Sequence, residues 1–144
     1  MNPHRLKPIQ RLAQEREDEQ ARQLAEQQRT LDAHEQRLVE LRRYAAEYAA
    51  PPVGESTSAA LLINRRAFAE KLDSAVAQQS RHVEKARGSC EIERARLLLA
   101  SREVSVLDKL AASYHAQERK VDERRTQREL DDHALRVFRR SRSE

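Results

Sequence analysis

Ala49-Ala50-Pro51-Pro52-Val53-Gly54-Glu55-Ser56-Thr57-Ser58 is the one cluster of helix breakers in a chain of 144 residues. Adjacent prolines remove two backbone donors and push the residues before them out of the α region, so a helix arriving from upstream must end near Ala49. Ser56 or Ser58 can cap a following helix with its hydroxyl. Upstream, Asn2-Pro3 and Lys7-Pro8 each resemble a helix start. Placing Pro8 at the first helical position avoids the roughly 3 kcal/mol that an interior proline costs. The reading is a single helical hairpin over 1–144: helix 1 at about 8–49, a Pro/Gly hinge at 50–57 and helix 2 at about 57–138. At 1.5 Å per residue the helices measure about 63 Å and about 120 Å. Gly88 falls inside helix 2 as a local weakness, not a boundary.

Composition agrees. Charged residues make up 36% and aromatics 3%, with no Trp, 2 Gly and 4 Pro; mean hydropathy is −0.93. Turns need Gly, Pro and Asn, and sheets need β-branched and aromatic residues, so sheet folds are excluded in favour of long solvated helices. No apolar run approaches the roughly 20 residues of a membrane span. Met1-Asn2-Pro3-His4-Arg5 lacks the apolar core of a secretory signal. A lone cysteine, Cys90, fits a reducing cytoplasm.

The periodicity predicts an all-α antiparallel two-helix coiled coil. Every seventh residue of helix 2 is small or apolar through Leu62, Ala69, Val76, Val83, Cys90, Leu97, Val104 and Ala111. Three residues further on come Leu72, Ala86, Ala100, Leu107, Tyr114 and Val121. A sustained seven-residue repeat requires a facing helix, and disordered chains do not hold one. Helix 1 supplies Leu24, Leu31, Leu38 and Ala45, with His34, Leu41 and Tyr48 beside them. Its earlier turns (Glu17, Gln20) are poorer, which predicts fraying. Arg–Glu pairs at i,i+4 (Arg11–Glu15, Arg22–Glu26, Arg43–Glu47, Arg66–Glu70, Arg87–Glu91, Arg125–Glu129) mark wet faces, each in the weaker orientation.

Folding about residue 53 sets residue n opposite 106 − n, so that Leu38 faces Phe68 and Pro8 lies near residue 98. Helix 2 is then expected to run about 40 residues, roughly 60 Å, past its partner. That overhang still carries Val104, Leu107, Ala111, Tyr114 and Val121, a stripe that needs a cover from another chain.

Chemistry finds little footing. The five histidines show no i,i+4 pairing; His115–Glu118 reads as solvated surface, and Cys90 as a small seam residue. A two-helix coil offers no concave site for tuning a pKa, so neither an enzyme nor a cofactor is expected. The hinge end is richer. Leu38, Leu41, Tyr44, Ala45 and Tyr48 cover about 140° of helix 1, wider than one seam uses. Leu61, Phe68 and Ala75 form a second stripe on helix 2. These residues either widen the core at the turn or form an aromatic patch for a partner; clustered aromatics favour the patch. Near the other end, residues 118–128 are mixed in charge and are followed by Arg136, Arg139, Arg140 and Arg142. A solvated helix terminus, where cations suit the dipole, and docking to an acidic protein surface both explain this better than nucleic acid, which the interspersed acids would repel.

Glu35-Gln36-Arg37-Leu38-Val39-Glu40-Leu41-Arg42-Arg43-Tyr44 with Glu47-Tyr48, then Phe68, Leu72 and Ala75 after a short break, and Glu118-Arg119-Lys120-Val121-Asp122-Glu123-Arg124-Arg125 together resemble the FliJ family. That family is the small helical-hairpin component of the bacterial flagellar export apparatus, on which motility and chemotaxis depend. The resemblance spans essentially the whole chain. It implies a coupling stalk similar to the central stalk of rotary ATP synthases, cytoplasmic and peripheral at the membrane, with no nucleic acid and no direct membrane insertion. By resemblance, the hexameric export ATPase would receive the overhang with Val104, Leu107, Tyr114, Val121, Arg124, Arg125 and Arg128. The cytoplasmic domain of the export gate would meet Leu41, Tyr44, Tyr48, Phe68, Leu72 and Ala75. Gln79 follows at a position where the family can carry His, and export chaperones are further possible partners. Open alternatives are a homo-oligomeric structural coiled coil and the equivalent stalk of a virulence-type secretion system.

Overall fold

The computed structural model describes residues 3–50 and 58–143. The expected hinge, apart from Ala50, lies outside the described residues. Two helices account for nearly all of the rest: α1, Pro3–Ala49, and α2, Ala59–Arg142. They pack as an antiparallel hairpin whose second helix is the longer, and no strand occurs among the described residues. By backbone proximity the chain divides into two units, one comprising Met1–Glu17 with Ala100–Glu144, the other Asp18–Leu99. Both helices contribute to each.

In the Asp18–Leu99 unit, Leu38 of α1 is buried together with Leu72, Val83, Ala86 and Cys90 of α2. These are seam positions of the two heptads, so the strict repeat does select the facing surfaces. At the start of α2 the Ser58 hydroxyl accepts the Leu61 amide at 3.4 Å, the capping role open to Ser56 or Ser58 in the sequence. One line of the seam alternates in polarity. On α2 it runs Arg65, Leu72, Gln79, Ala86, Glu93; on α1 it runs Tyr48, Leu41, His34, Gln27, Gln20. Gln79 is only 6% exposed. Its Nε2 donates to the His34 carbonyl at 3.0 Å and lies 3.1 Å from His34 Nδ1. The same register sets Gln20 level with Glu93. Gln20 Oε1 and Glu93 Oε2 are buried oxygens with no hydrogen-bond partner among the described residues. A buried, paired polar residue in a coiled-coil seam favours one register over its neighbours, because slipping would strand its hydrogen bonds.

The other unit departs from expectation. Helix 1 begins at Pro3, and Pro8 lies inside it. The missing bond at Pro8 is offset by burial: Leu6 is 1% exposed and Ala13 2%. Both continue the α1 heptad through Gln20, Gln27 and His34, so the early turns are packed and helical, not frayed. Two polar contacts reinforce them: Gln10 Nε2 donates to Asp108 Oδ1 at 3.1 Å, and Arg16 pairs with Glu103 at 3.2 Å.

Register also differs from a fold about residue 53. Tyr48, not Leu38, meets Phe68, His34 meets Gln79, and Arg16 meets Glu103. Each α2 partner lies roughly ten residues further along than that fold would place it. Side chains lean toward their own helix's N-terminus. In an antiparallel pair those leans are opposed, so each α1 side chain reaches a later α2 residue, which accounts for a few residues of the difference. The rest means that the helices pair about a point later than residue 53.

The consequence falls on the overhang. Val104, Leu107, Ala111 and Tyr114 are half-buried, in the unit that contains Leu6 and Ala13. From 117 onward every described residue is exposed. The bare part of α2 is therefore 117–142, about 39 Å of helix, shorter than the expected 60 Å.

The ion pairs sort by orientation. Arg66–Glu70 forms at 3.7 Å, but Arg22 turns back to Glu19 and Arg87 to Glu84. A glutamate on the N-terminal side of its cation suits the helix dipole better. Arg87 also reaches across to Glu35 at 3.3 Å.

Candidate partner-binding surfaces

The first surface lies in the Asp18–Leu99 unit, where the last turns of α1 adjoin the first turns of α2. Tyr44 and Tyr48 are one turn apart on α1; Phe68, Leu72 and Ala75 occupy one face of α2 at i, i+4 and i+7. The Tyr48 and Phe68 rings meet edge to face, with centroids 4.7 Å apart and planes at 64°. Arg65 organises this corner. Its guanidinium sits 5.3 Å from the Tyr48 ring centroid and donates to the carbonyls of Ala50 at 2.9 Å and Glu47 at 3.2 Å. These carbonyls belong to the end of α1, which has no further turn to satisfy them, and a cation is favoured there.

The six residues singled out at this end do not share one fate. Tyr44, Tyr48 and Phe68 are exposed. Leu41 and Ala75 are half-buried, and Leu72 is in the core. Gln79 is also in the seam, bonded to His34, so it is not part of any exposed patch. What the α1–α2 corner presents is an aromatic trio with Leu61 on the face of Phe68; Leu62 and Ile63 are exposed on other faces of α2. Of these, Ile63 was not foreseen; its signal is the unbroken Leu61-Leu62-Ile63 run, which no single seam can cover.

The second surface belongs to the unit containing Ala100–Glu144. Val104, Leu107 and Tyr114 are half-buried, so they are only partly available. Val121, Arg124, Arg125 and Arg128 stand on the bare helix, with Val121 55% exposed. The heptad lapses over this stretch: the positions after Ala111 are Glu118, Arg125, Asp132 and Arg139. The backbone ladder carries the helix on instead, with local side-chain pairs such as Gln127 to Asp131 at 3.2 Å. Further along stand Leu130, Val137 and Phe138, which leave the seven-residue grid, and Leu135, which lies on it two heptads after Val121; all are exposed and none figures in the sequence reading. His115 Nδ1 lies 3.8 Å from Glu118 Oε2, with both side chains well exposed, the solvated pair that the sequence suggested.

A long antiparallel hairpin with a bare extension on its second helix is what the resemblance implied. The profile of the family described as flagellar FliJ protein matches residues 1–143. The chain belongs to that family. No curated protein and no solved structure matches it. Membership in the FliJ family makes the chain a component of flagellar protein export, in a family whose role there is non-catalytic. Among the described residues no helix is long and apolar enough to cross a membrane.

Proposed function

We propose that this chain is a non-enzymatic coupling stalk of flagellar protein export, linking the hexameric export ATPase to the cytoplasmic domain of the export gate. It would work in the cytoplasm, peripheral to the membrane, and assist export chaperones. The observation that carries this reading is the bare segment 117–142, a preformed helix without a partner in its own chain. An exposed helix of this kind suits insertion into a ring, with Val121, Arg124, Arg125 and Arg128 as its contact residues. The aromatic trio Tyr44, Tyr48 and Phe68 supplies a second, chemically different contact. Rigid aromatics held by Arg65 lose little entropy on docking, which is what an anchor for the gate requires.

A pull-down from cytoplasmic and membrane fractions tests the proposal. The wild-type chain is expected to retain both a hexameric ATPase and a gate protein. Tyr44→Ala with Phe68→Ala is expected to lose the gate, keep the ATPase and impair swimming at unchanged helix content. Val121→Lys with Arg124→Glu is expected to do the converse. Unaltered swimming in the Tyr44/Phe68 double variant sinks the gate assignment. A homo-oligomeric coiled coil is the second reading, since the bare helix could pair between copies. Charged residues at four successive heptad positions weigh against it, and sedimentation equilibrium showing a monomer at ~tens of micromolar removes it.

A further inference from the structure

His34 of α1 is half-buried in the seam, and two α2 side chains one turn apart meet it. Gln79 Nε2 lies 3.0 Å from the His34 carbonyl oxygen and 3.1 Å from Nδ1 of the same residue. The His82 ring stacks with that of His34, centroids 5.8 Å apart and planes at 19°. A carbonyl oxygen only accepts, so the Gln79 atom beside it must be the amide nitrogen. That nitrogen carries two hydrogens, one for each acceptor, and Nδ1 therefore offers a lone pair and not a proton. The arrangement fits the neutral imidazole alone. A proton on Nδ1 would set donor against donor. Turning the Gln79 amide over would relieve that but set Oε1 against the carbonyl. Either way the seam loses a bond at Gln79, a residue only 6% exposed.

We propose that His34, Gln79 and His82 form a pH-sensitive clasp on the pairing of α1 with α2, closed while His34 is neutral and open when it is charged. Histidine is the side chain whose charge ordinarily changes between about pH 5 and 8. Linkage fixes the sign: a contact made only by the neutral ring stabilises at the upper end of that window and is withdrawn as the pH falls. The stack acts in the same direction, since two imidazolium rings repel each other. Among Ala75, Val76, His82, Val83 and Ala86, the α2 residues around Gln79 at three, four and seven positions, only His82 titrates. Beside His34 in α1, the Glu35 carboxylate is engaged by Arg87 of α2 at 3.3 Å, and Arg37 is exposed one turn further on. All three clasp residues belong to the Asp18–Leu99 unit. The proposal goes beyond the coupling role and does not rest on it.

Thermal unfolding of the full chain, followed by circular dichroism at about pH 8 and about pH 5, tests it. Across that interval the wild type should lose roughly 4 °C more than His34→Leu, the worth of one seam hydrogen bond. Gln79→Glu should gain on the wild type as the pH falls, because a carboxylate accepts a bond from the charged ring. His82→Gln should keep most of the wild-type loss, since the Gln79 bonds remain. Equal losses in the wild type and His34→Leu overturn the proposal. So does a Gln79→Glu variant with the wild-type slope, or complete flattening by His82→Gln alone. Should His34→Leu fail to fold, the Gln79→Glu and His82→Gln comparisons decide the matter.

Discussion

Two stretches of α2 place their charges differently and meet different ends. Between Leu72 and Ala100 the seam positions hold Leu72, Val76, Gln79, Val83, Ala86, Cys90, Glu93, Leu97 and Ala100, and these are buried or half-buried. Between 117 and 142 the corresponding positions hold Glu118, Arg125, Asp132 and Arg139 on one line and Val121, Arg128, Leu135 and Arg142 on the other, all exposed. The bare stretch is the more charged of the two, and its charges occupy the seven-residue grid itself, where the covered stretch keeps mostly small or apolar residues. Both stretches are helical, one through tertiary packing and the other through local bonds and continuity with packed turns.

Substitutions can break or sharpen that contrast. The largest effect is expected from Leu38→Ala, which deletes most of a buried seam side chain and should cost about 2–4 kcal/mol in thermal or urea unfolding followed by circular dichroism. Gln79→Ala should cost about 1–2 kcal/mol by removing the bonds to His34 and leaving a gap, whereas Gln79→Leu should spare part of that because leucine refills the space in the seam. Gly88→Ala should raise stability by about 0.5–1 kcal/mol: the residue is inside α2, and nothing lies within 4 Å of the added methyl. Leu130→Ser on the bare stretch should shift stability by no more than about 0.5 kcal/mol. If Leu130→Ser and Leu38→Ala cost the same, the distinction between covered and bare helix is lost.

Much of the fold was legible because heptad periodicity and a double proline are local signals. Val83, Cys90, Leu72 and Leu38 are buried as the pattern requires. The start of α1 was harder to read. Pro8 gave a strong local stop, while Leu6 and Ala13 lie a heptad apart on a line otherwise marked by Gln20 and Gln27, so their burial depends on α2 being opposite. Register was hidden because a heptad repeat can meet its facing helix at several offsets, and the midpoint of the hinge does not choose among them. The error in register exaggerated the overhang and put Val104, Leu107 and Tyr114 on it. The aromatic corner was visible as composition, but the Arg65 contacts that organise it join residues 15 and 18 apart in sequence. Leu130, Val137 and Phe138 escaped because they leave the seven-residue period being followed.

Cys90 has a practical corollary. It is the only thiol in the chain and is 3% exposed in the seam. A thiol-reactive probe can reach that sulfur only while the two strands of the coil part around it, so its labelling rate reports how often they do. Docking either end of the protein onto its target should therefore be visible as a slowing or quickening of that chemistry, without touching a residue at either contact.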